Sequence, residues 1–479
     1  MNAPESPSSR REFLRLAALA GFGFGIGNGL TPNAEAAPDP RALSFSGITE
    51  IGKVRPRPVG SKPVWNLTTK PTEKVRVAFI GLSRGMSHVD AAIHIPYAEI
   101  VAVCDLIQSR ADKAAAKIKA QTGKEPAVYG GNEDIWEKMI ARDDIDVVYI
   151  STPWEWHVPM SVKTMKAGKH AFVEVSAAVT VDECWQLVDT SEATQRHCVI
   201  LENCCYDETE MFVLNMARQG FFGEMKHAEC AYIHNLRNNG NPGVLWQLGS
   251  EGGWRRNYHT FLDGNLYPTH GLGPVAQYLG INRGDNFKYI VSASSPEFNL
   301  TQYRDKANPN AGRHKDEKYV CGDMNTSIIK TELGRTIMIQ HDVVSPRPYS
   351  RINALCGTKA TFFGYPDRLC VDGSHEWTYE GDKMEKFIKE NAHPIWKTTG
   401  EYARKGGFGH GGMDYVMNWR LLDCVRKGIT PDMTAYDAAA WSSILEASVC
   451  SVKNGSMPVQ IPDFTRGGWK GLNPLPIVS

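Results

Sequence analysis

The sequence lacks the features that mark nucleic-acid-binding, zinc-binding and disulfide-rich proteins. Its 53 basic and 53 acidic residues give a formal net charge of +0, whereas a surface that binds phosphate backbones needs clustered Lys and Arg. Its 11 cysteines include no CxxC pair, so neither zinc-ligand spacing nor a disulfide framework is present. We therefore expect no nucleic-acid partner and no metal ion.

Long hydrophobic runs and internal repeats are missing as well. A membrane-spanning helix needs about 20 consecutive apolar residues, and no stretch reaches that length, so no stable membrane span is expected. What the chain does have is the composition of a globular protein, with 42% hydrophobic and 22% charged residues. Its 479 residues are too many for one ordinary core, which predicts two or three domains.

The amino terminus has the layout of an export signal. Arg10 and Arg11 precede an apolar, Gly-rich stretch over Leu16–Ile26, and Ala34-Glu35-Ala36 follows as a small-x-small cleavage site. Residues 1–36 thus resemble a twin-arginine signal, a route that carries proteins already folded. Export to the periplasm is the expectation, and folding before exposure to oxidants suits the unpaired cysteines. The alternatives are a disordered basic tail and a membrane helix, although the apolar run is shorter than the about 20 residues that a span needs.

The remaining chain divides into an arm and two domains. Residues 37–72 are rich in Pro, Ser and Gly and predict an arm. Residues 73–205 alternate short apolar strands with helices, among them Val158–Ala167 and Val181–Thr194, which predicts a parallel, doubly wound sheet. Residues 206–479 instead contain alternating segments such as Asn325–Thr331, typical of a mostly antiparallel open sheet with helices on one face. The predicted fold class is α/β.

The first predicted strand, Val75–Ile80, ends in a turn that suits a dinucleotide. Gly81-Leu82-Ser83-Arg84-Gly85 forms the turn, and Asp105 ends the second strand about 20 residues further on, where an acid binds the adenosine ribose. A carboxylate there repels a 2′-phosphate, so NAD is favoured over NADP. Ser83 stands where the second Gly of the usual pattern lies, and a plain strand-turn-helix is the alternative.

Further candidate residues follow the later strands of this domain. Because the carboxyl ends of parallel strands face one ligand crevice, these residues converge there. For Trp154 and Trp156 the alternative is core packing, and for His157 it is a helix cap. The candidates are Trp154, Glu155, Trp156, His157, Glu174, Val175 and Asn203.

At this point the sequence resembles a known superfamily. The motifs GLSRG, CDL, STPWEWH, AGKHAFVEV and LENCCY resemble, in that order, the glucose-fructose oxidoreductase superfamily. Its members have a Rossmann dinucleotide-binding domain followed by an α/β domain with an open sheet. Most of them carry Glu-Lys-Pro in the fourth motif, and the Lys aids catalysis. Here Val175 and Ser176 follow Glu174, so an ordinary sugar dehydrogenase would lack its usual acid/base residue.

The second half is similar to one branch, glycoside hydrolase family 109. The motifs are NMARQG, FGE, YIHNLR, LYPTHG, PRPYS and GHGG, and the likeness runs from Lys74 to Trp469. The resemblance implies an NAD-dependent α-N-acetylgalactosaminidase that binds a small-molecule sugar or a glycan. It implies NAD contacts at the strand-end residues, including Ser83, Arg84 and Asp105. For the sugar it implies Tyr232, Arg255, Tyr267, Pro268, Thr269, His270 and Tyr349, with Arg256 a competitor for the place of Arg255.

An NAD-dependent glycosidase works without the usual pair of carboxylates. The expected reaction oxidises C3 of the sugar, which acidifies the C2 hydrogen. Loss of that proton expels the group at C1, water adds, and C3 is reduced again. His270 and either Tyr267 or Tyr349 are the candidates for the proton transfers, since His titrates near neutral pH and a phenol is activated by its neighbours. A structural His270 that caps the following helix is the alternative, and His410 is a further candidate.

Two other functions fit the same sequence. An NAD-dependent sugar or inositol dehydrogenase shares the fold, and it would produce net NADH from a free sugar. A non-catalytic exported sugar-binding protein with a vestigial nucleotide domain is the second alternative. Its support is the turn after the first strand, which is one residue shorter than the usual Gly-rich pattern. A second copy of the chain is a further expected partner, because open sheets of this superfamily often pair between subunits.

Overall fold

Two β-sheets organise the chain, one parallel and one mostly antiparallel. The computed structural model describes residues 39–237, 243–247, 251–306 and 314–477. The predicted export signal, residues 1–36, lies outside the described residues. The two sheets confirm the expected α/β fold class.

The first sheet is parallel, with the strand order β3-β2-β1-β4-β5-β6. Its strands are short apolar runs that helices cover on both faces, as in other doubly wound sheets. The order reverses between β1 and β4, and ligands bind such sheets at the carboxyl ends of the strands near this point. The strands are β1 (Val75–Ile80), β2 (Ala98–Asp105), β3 (Ala127–Gly130), β4 (Val147–Ile150), β5 (His170–Val173) and β6 (Cys198–Ile200).

The second sheet has the order β14-β13-β12-β11-β7-β10-β9-β8-β15. Its β7 and β10 are parallel, while the other paired strands run antiparallel. The strands are β7 (His227–Ile233), β8 (Phe287–Ser294), β9 (Asn325–Thr331), β10 (Thr336–Asp342), β11 (Ala354–Cys356), β12 (Ala360–Phe363), β13 (Arg368–Val371), β14 (Tyr379–Glu380) and β15 (Val459–Gln460).

The helices of the described residues pack around these sheets, and none is both long and apolar enough to cross a membrane. They are α1 (Met86–Ile93), α2 (Gln108–Thr122), α3 (Ile135–Ile140), α4 (Trp154–Lys166), α5 (Val181–Thr194), α6 (Glu208–Arg218), α7 (Glu251–Tyr258), α8 (Thr269–Leu279), α9 (Asn299–Lys306), α10 (Gly381–Glu390), α11 (Pro394–Lys405), α12 (Met413–Lys427) and α13 (Ala435–Lys453).

Helix α13 joins the two domains. It is rich in small residues and almost wholly buried, so both domains can approach its backbone closely. On the first domain the hydroxyl of Ser442 accepts from the amide of Ala177 at 3.0 Å. On the second, the hydroxyl of Ser451 accepts from the amide of Ser292 at 2.9 Å. The sheets are therefore held in a fixed relation at the cleft between them.

Two predicted helix starts were wrong. The helix expected from Val158 begins at Trp154, since Pro159 is accommodated inside the helix although Pro usually marks a boundary. The helix expected to begin at Gly271 begins at Thr269. In both cases the first turn carries candidate site residues, so these side chains stand on a rigid helix rather than in a loop.

Gly81 gives a test of how tightly the ends of β1 and β4 pack. Its φ is +86°, and an added Cβ would lie 2.5 Å from the carbonyl oxygen of Ser151. We expect Gly81→Ala to lower the free energy of unfolding by more than the about 1–2 kcal/mol that the left-handed backbone alone costs. Urea unfolding of the wild type and the variant measures this change in the free energy of unfolding.

Gly123→Ala is the matched control. Gly123 has a φ of +72° and no atom within 4 Å of the position of a Cβ, so it reports the backbone cost without a collision. Equal destabilisation by the two substitutions would contradict the proposed close contact at Gly81.

Candidate active site

The turn after β1 is fastened to β2 by Asp105. One carboxylate oxygen of Asp105 accepts from the amide of Leu82 at 2.7 Å, and the other accepts from the amide of Ile107 at 2.8 Å. A carboxylate has about four acceptor positions, so acceptor capacity remains for ribose hydroxyls. Ser83 is exposed beside the start of α1, where amide groups and the helix dipole favour a pyrophosphate. These residues fit a bound dinucleotide.

Arg84 joins this turn to the second domain. Its Nε lies 2.9 Å from Oε1 of Glu174, and its Nη1 lies 3.0 Å from Oδ2 of Asp414 on α12. The side-chain amide of Asn203 donates from Nδ2 to Oδ1 of Asp414 at 2.7 Å. Three predicted cofactor residues, Arg84, Glu174 and Asn203, thus meet in one buried network.

The network fixes the charge of its carboxylates. Burial opposes ionisation, but the Arg84 guanidinium and a hydrogen bond from His88 lower the pKa of Glu174 to about 2. The pKa of Asp414 is also lowered against burial, by Arg84 and by His410. Both carboxylates are therefore ionised at neutral pH, and His410, with Nδ1 3.0 Å from Asp414, belongs to this network.

The aromatic motif after β4 ties strand ends together. The indole nitrogen of Trp154 donates to the carbonyl of Val175 at 3.1 Å. The ring nitrogens of His157 lie 2.7 Å and 2.8 Å from the carbonyl oxygens of Ser176 and Thr152, and burial lowers the pKa of His157. These side chains hold the backbone at the edge of the crevice, so NAD contacts through them stay a prediction.

The other two residues of this motif lie on different sides of α4. Glu155 is 1% exposed, and its Oε2 accepts from the hydroxyl of Tyr258 at 3.1 Å. Trp156 is half-buried and packs edge-on against Trp136, with ring centroids 6.4 Å apart. Glu155 therefore faces the second domain, while Trp156 packs within the first.

The predicted sugar residues form an aromatic group beside this edge. The rings of Tyr232 and Tyr267 are 4.4 Å apart, and Tyr232 lies 5.3 Å from the ring of His270 and 6.3 Å from that of Tyr349. Pro268 and Thr269 lie between Tyr267 and His270 in the sequence, at the start of α8, and both are buried. Aromatic rings with a few polar groups among them are typical of the lining of a small-molecule site.

The structure places Arg255, rather than Arg256, beside these rings. The Arg255 guanidinium lies 4.5 Å from the ring centroid of Tyr267 and 5.6 Å from that of Trp154. Arg256 instead pairs with Glu317 at 3.0 Å and donates to the carbonyl of Leu245 at 2.6 Å. Arg255 is thus the one of the two that is positioned to meet a sugar.

His270 lies between a buried carboxylate and a phenol. Its Nδ1 is 2.6 Å from Oε1 of Glu202, which is fully buried at the end of β6, and its Nε2 is 3.4 Å from the hydroxyl of Tyr267. With Nδ1 directed at this carboxylate, Nε2 is the ring nitrogen on the side of Tyr267. Gly273 leaves room for this pair, since a Cβ there would lie 2.8 Å from Cγ of Glu202.

Sequence reasoning missed Glu202 and Asp414 as site residues. Glu202 stands beside Asn203 in the motif LENCCY, and Asp414 follows His410 by four residues. Position at a strand end was the available signal for Glu202. For Asp414 the i, i+4 spacing from His410 was the only local signal, and it did not indicate a contact with Arg84.

Tyr349 stands at the outer rim of the aromatic group. It is 38% exposed, and its hydroxyl accepts from Nη1 of Arg351 at 3.1 Å. Burial of part of the side chain and the neighbouring Cys204 raise the pKa of Tyr349. The phenol is therefore protonated near neutral pH, which fits a proton donor better than a base.

Glu202, Cys204 and His270 also bring potential metal ligands within 4.8 Å of one another, the one such group found in the described part of the chain. A thiolate, not a thiol, binds metals. Burial raises the pKa of Cys204 well above its ordinary value, so the thiol is protonated. Glu202 and His270 are hydrogen-bonded to each other at 2.6 Å in this site, an arrangement suited to proton transfer.

The Arg84 network predicts a defined pH dependence of stability. Glu174 has an ordinary pKa of 4.5 and a folded value of about 2, so its contribution is full above its ordinary pKa and is lost as the pH falls towards 2. We expect the urea unfolding midpoint of the wild type to fall over this range. In Glu174→Gln this part of the pH dependence disappears.

Glu125→Gln is the control, because the Lys119–Glu125 pair is exposed and such pairs contribute little to stability. It is expected to keep the wild-type slope of midpoint against pH. A wild-type slope in Glu174→Gln would show that Glu174 is not the depressed carboxylate.

Comparison with solved structures supports the fold. Levoglucosan dehydrogenase in complex with NADH and levoglucosan aligns with a TM-score of 0.59 at 17% identity, covering 81% of this chain and 100% of that chain. An inositol dehydrogenase homologue from Azotobacter vinelandii, complexed with NADH and myo-inositol, aligns with a TM-score of 0.59 at 16% identity, covering 82% and 100%. The architecture is thus that of sugar and inositol dehydrogenases.

Sequence comparison identifies the family. The oxidoreductase family with an NAD-binding Rossmann fold matches residues 75–202, and the glycosyl hydrolase 109 C-terminal domain matches residues 206–471. A glycosyl hydrolase family 109 protein of Shewanella putrefaciens is 46% identical, over 98% of this chain and 99% of the relative. An alpha-N-acetylgalactosaminidase of Shewanella oneidensis is 45% identical over the same shares. An NAD-binding domain joined to this carboxy-terminal domain, over nearly the whole length of such relatives, means that the chain belongs to glycosyl hydrolase family 109.

Proposed function

We propose that this enzyme removes terminal α-N-acetylgalactosamine, or a closely related sugar, from glycans with the help of bound NAD. The observation that carries the proposal is the row formed by Glu202, His270 and Tyr267, which connects the strand ends of the NAD-binding domain to the aromatic pocket. The family and the relative named as an alpha-N-acetylgalactosaminidase support the choice of sugar.

The first domain holds the cofactor and the second presents the sugar. NAD, when bound, supplies a reversible hydride acceptor for C3 of the sugar. Ser83 and Asp105 would hold its pyrophosphate and adenosine ribose, and the Arg84 network would keep the turn in place. The aromatic rings and Arg255 would orient the sugar against the nicotinamide end of the crevice and exclude water from it.

His270 is the proposed base. Its Nε2 accepts the proton of the C3 hydroxyl as C3 is oxidised, and its Nδ1–H remains directed at Glu202, which stabilises the imidazolium that forms. A C3 ketone acidifies the C2 hydrogen, so removal of that proton expels the group at C1, and water then adds before C3 is restored. The Tyr349 hydroxyl, which stays protonated near neutral pH, is the proposed donor to the departing oxygen.

A direct displacement by two carboxylates is less compatible with this pocket. Such enzymes place two carboxyl groups on either side of the scissile bond. Among the described residues that the proposal assigns to the sugar, the side chains are aromatic, His, Arg, Pro and Thr. Glu202 is fully buried behind His270, so it is placed to orient the imidazole rather than to attack the sugar.

We further propose export by the twin-arginine route and pairing of two chains. Arg10 and Arg11 before an apolar stretch support export.

The large sheet supports the pairing of two chains. Its outer face carries Ile328, 53% exposed, in register with Val291 and Met338 on the two neighbouring strands. Such an apolar row suits burial against a second copy.

One assay tests the proposed reaction. The purified enzyme is incubated with p-nitrophenyl α-N-acetylgalactosaminide in deuterated water, and phenol release, absorbance at 340 nm and deuterium at C2 are recorded. We expect phenol release, deuterium at C2 and no lasting NADH, because the hydride returns to C3. Accumulating NADH would instead identify a dehydrogenase. No change in any of the three measurements would identify a binding protein.

Variants of the His270–Glu202 pair test the proton transfer. We expect His270→Ala to lower kcat by about 10²–10⁴-fold, the usual contribution of a positioned acid/base group, and to leave NAD bound. Glu202→Gln is expected to lower kcat by less and to change its pH profile, since the amide does not stabilise an imidazolium.

Glu202→Asp is the conservative control and is expected to recover part of the activity, because it keeps the charge. NAD content, measured after denaturation of each variant, separates lost catalysis from lost cofactor. Unaltered turnover in His270→Ala would remove His270 from the mechanism.

A further inference from the structure

The aromatic residues of the pocket continue outward beyond the predicted sugar site. Tyr267 and Tyr232 are 5% and 4% exposed, whereas Tyr349 and Tyr365 are 38% and 40% exposed. The ring centroids of Tyr349 and Tyr365 are 6.1 Å apart, and Tyr349 links them to Tyr232 at 6.3 Å. A path of rings therefore leads from the buried pocket to solvent.

Arg351 holds the two outer rings. Its guanidinium lies 5.6 Å from the ring centroid of Tyr349 and 5.5 Å from that of Tyr365. Arg351 is 5% exposed and is itself fixed by Glu210 at 2.6 Å and Asp207 at 3.0 Å. Because the cation cannot move away from its two carboxylates, both rings rest against an immobile partner.

The backbone reinforces this position. Tyr365 has a φ of +56°, a conformation that costs non-Gly residues free energy and persists only where the surrounding structure holds it, as at ligand-binding sites. The amide of the preceding Gly364 donates to the carbonyl of Ile352 at 3.1 Å, next to Arg351. The exposed ring of Tyr365 is thus presented by a fastened loop, and core packing does not account for its exposure.

We propose that Tyr365, with Tyr349 and Arg351, forms a subsite for the sugar residue to which α-N-acetylgalactosamine is attached. This inference rests on the proposed function. The face of an aromatic ring carries partial negative charge, which attracts the C–H groups on the apolar face of a pyranose. A ring that is already immobile loses little conformational entropy on stacking, and Asp207, with its side chain 25% exposed, supplies an acceptor for a hydroxyl beside it.

Two substrates separate this subsite from the catalytic pocket. One is methyl α-N-acetylgalactosaminide, and the other is a disaccharide of α-N-acetylgalactosamine linked to galactose. We expect Tyr365→Ala to lower kcat/KM for the disaccharide about five- to tenfold, the loss of one stacking contact, and to leave kcat/KM for the methyl glycoside unchanged. Tyr365→Trp, which keeps a ring, is expected to restore the preference.

Tyr402→Ala is the matched control, since Tyr402 is 49% exposed on α11 and packs against Phe408 and Tyr415. It should change neither kcat/KM value. A thermal unfolding midpoint for each variant shows whether the fold is kept. Equal losses on both substrates, or none on either, would overturn the subsite.

The subsite and the proposed function fail in different ways. A wild-type enzyme that hydrolyses neither substrate contradicts the proposed function. The subsite is then decided by calorimetric binding of both sugars to the wild type and to Tyr365→Ala. Tighter binding of the disaccharide that disappears in the variant supports the subsite, and equal or absent binding of the two sugars by the wild type contradicts it.

Discussion

The pairing of His270 with Glu202 is the contact on which the site depends, because it brings together one group from each domain. Glu202 follows the last strand of the NAD-binding sheet, and His270 lies in the first turn of α8, which packs on the second sheet. Their atoms are 2.6 Å apart. A small shift between the sheets would break this hydrogen bond, so the proposed chemistry requires the fixed relation of the domains.

The same requirement explains the buried polar contacts elsewhere at the domain boundary. Arg84 reaches from the cofactor turn to Asp414 on α12, and Ser442 of α13 reaches to the backbone before α5. Buried charges are tolerated only where they are paired. Each such contact forms in only one arrangement of the two domains. This arrangement places the end of β6 beside the aromatic pocket.

The Lys that most members of the superfamily carry in the fourth motif is replaced in this chain. Val175 and Ser176 occupy that place, and their carbonyl groups accept from Trp154 and His157 instead. The base proposed for the pocket is His270, which the second domain supplies. The proposed mechanism therefore takes its base from a different domain than the superfamily motif does, while the position of the crevice stays the same.

The sequence by itself determined the elements and the family. Helix Val181–Thr194 was predicted with the bounds that the structure has. Its start is fixed locally, since the side chain of Thr180 caps the first turn. The family followed from motifs spread over the whole chain, and with it the grouping of Tyr232, Tyr267 and His270.

Only the tertiary structure decided which charged groups meet. Glu202 is 68 residues from His270, and Arg84 is 330 residues from Asp414, so no local pattern indicates either pair. The choice between Arg255 and Arg256 was likewise open until the packing of α7 placed one beside Tyr267 and the other beside Glu317. Strand and helix signals act over a few residues, whereas hydrogen bonds and ion pairs depend on how the two sheets pack together.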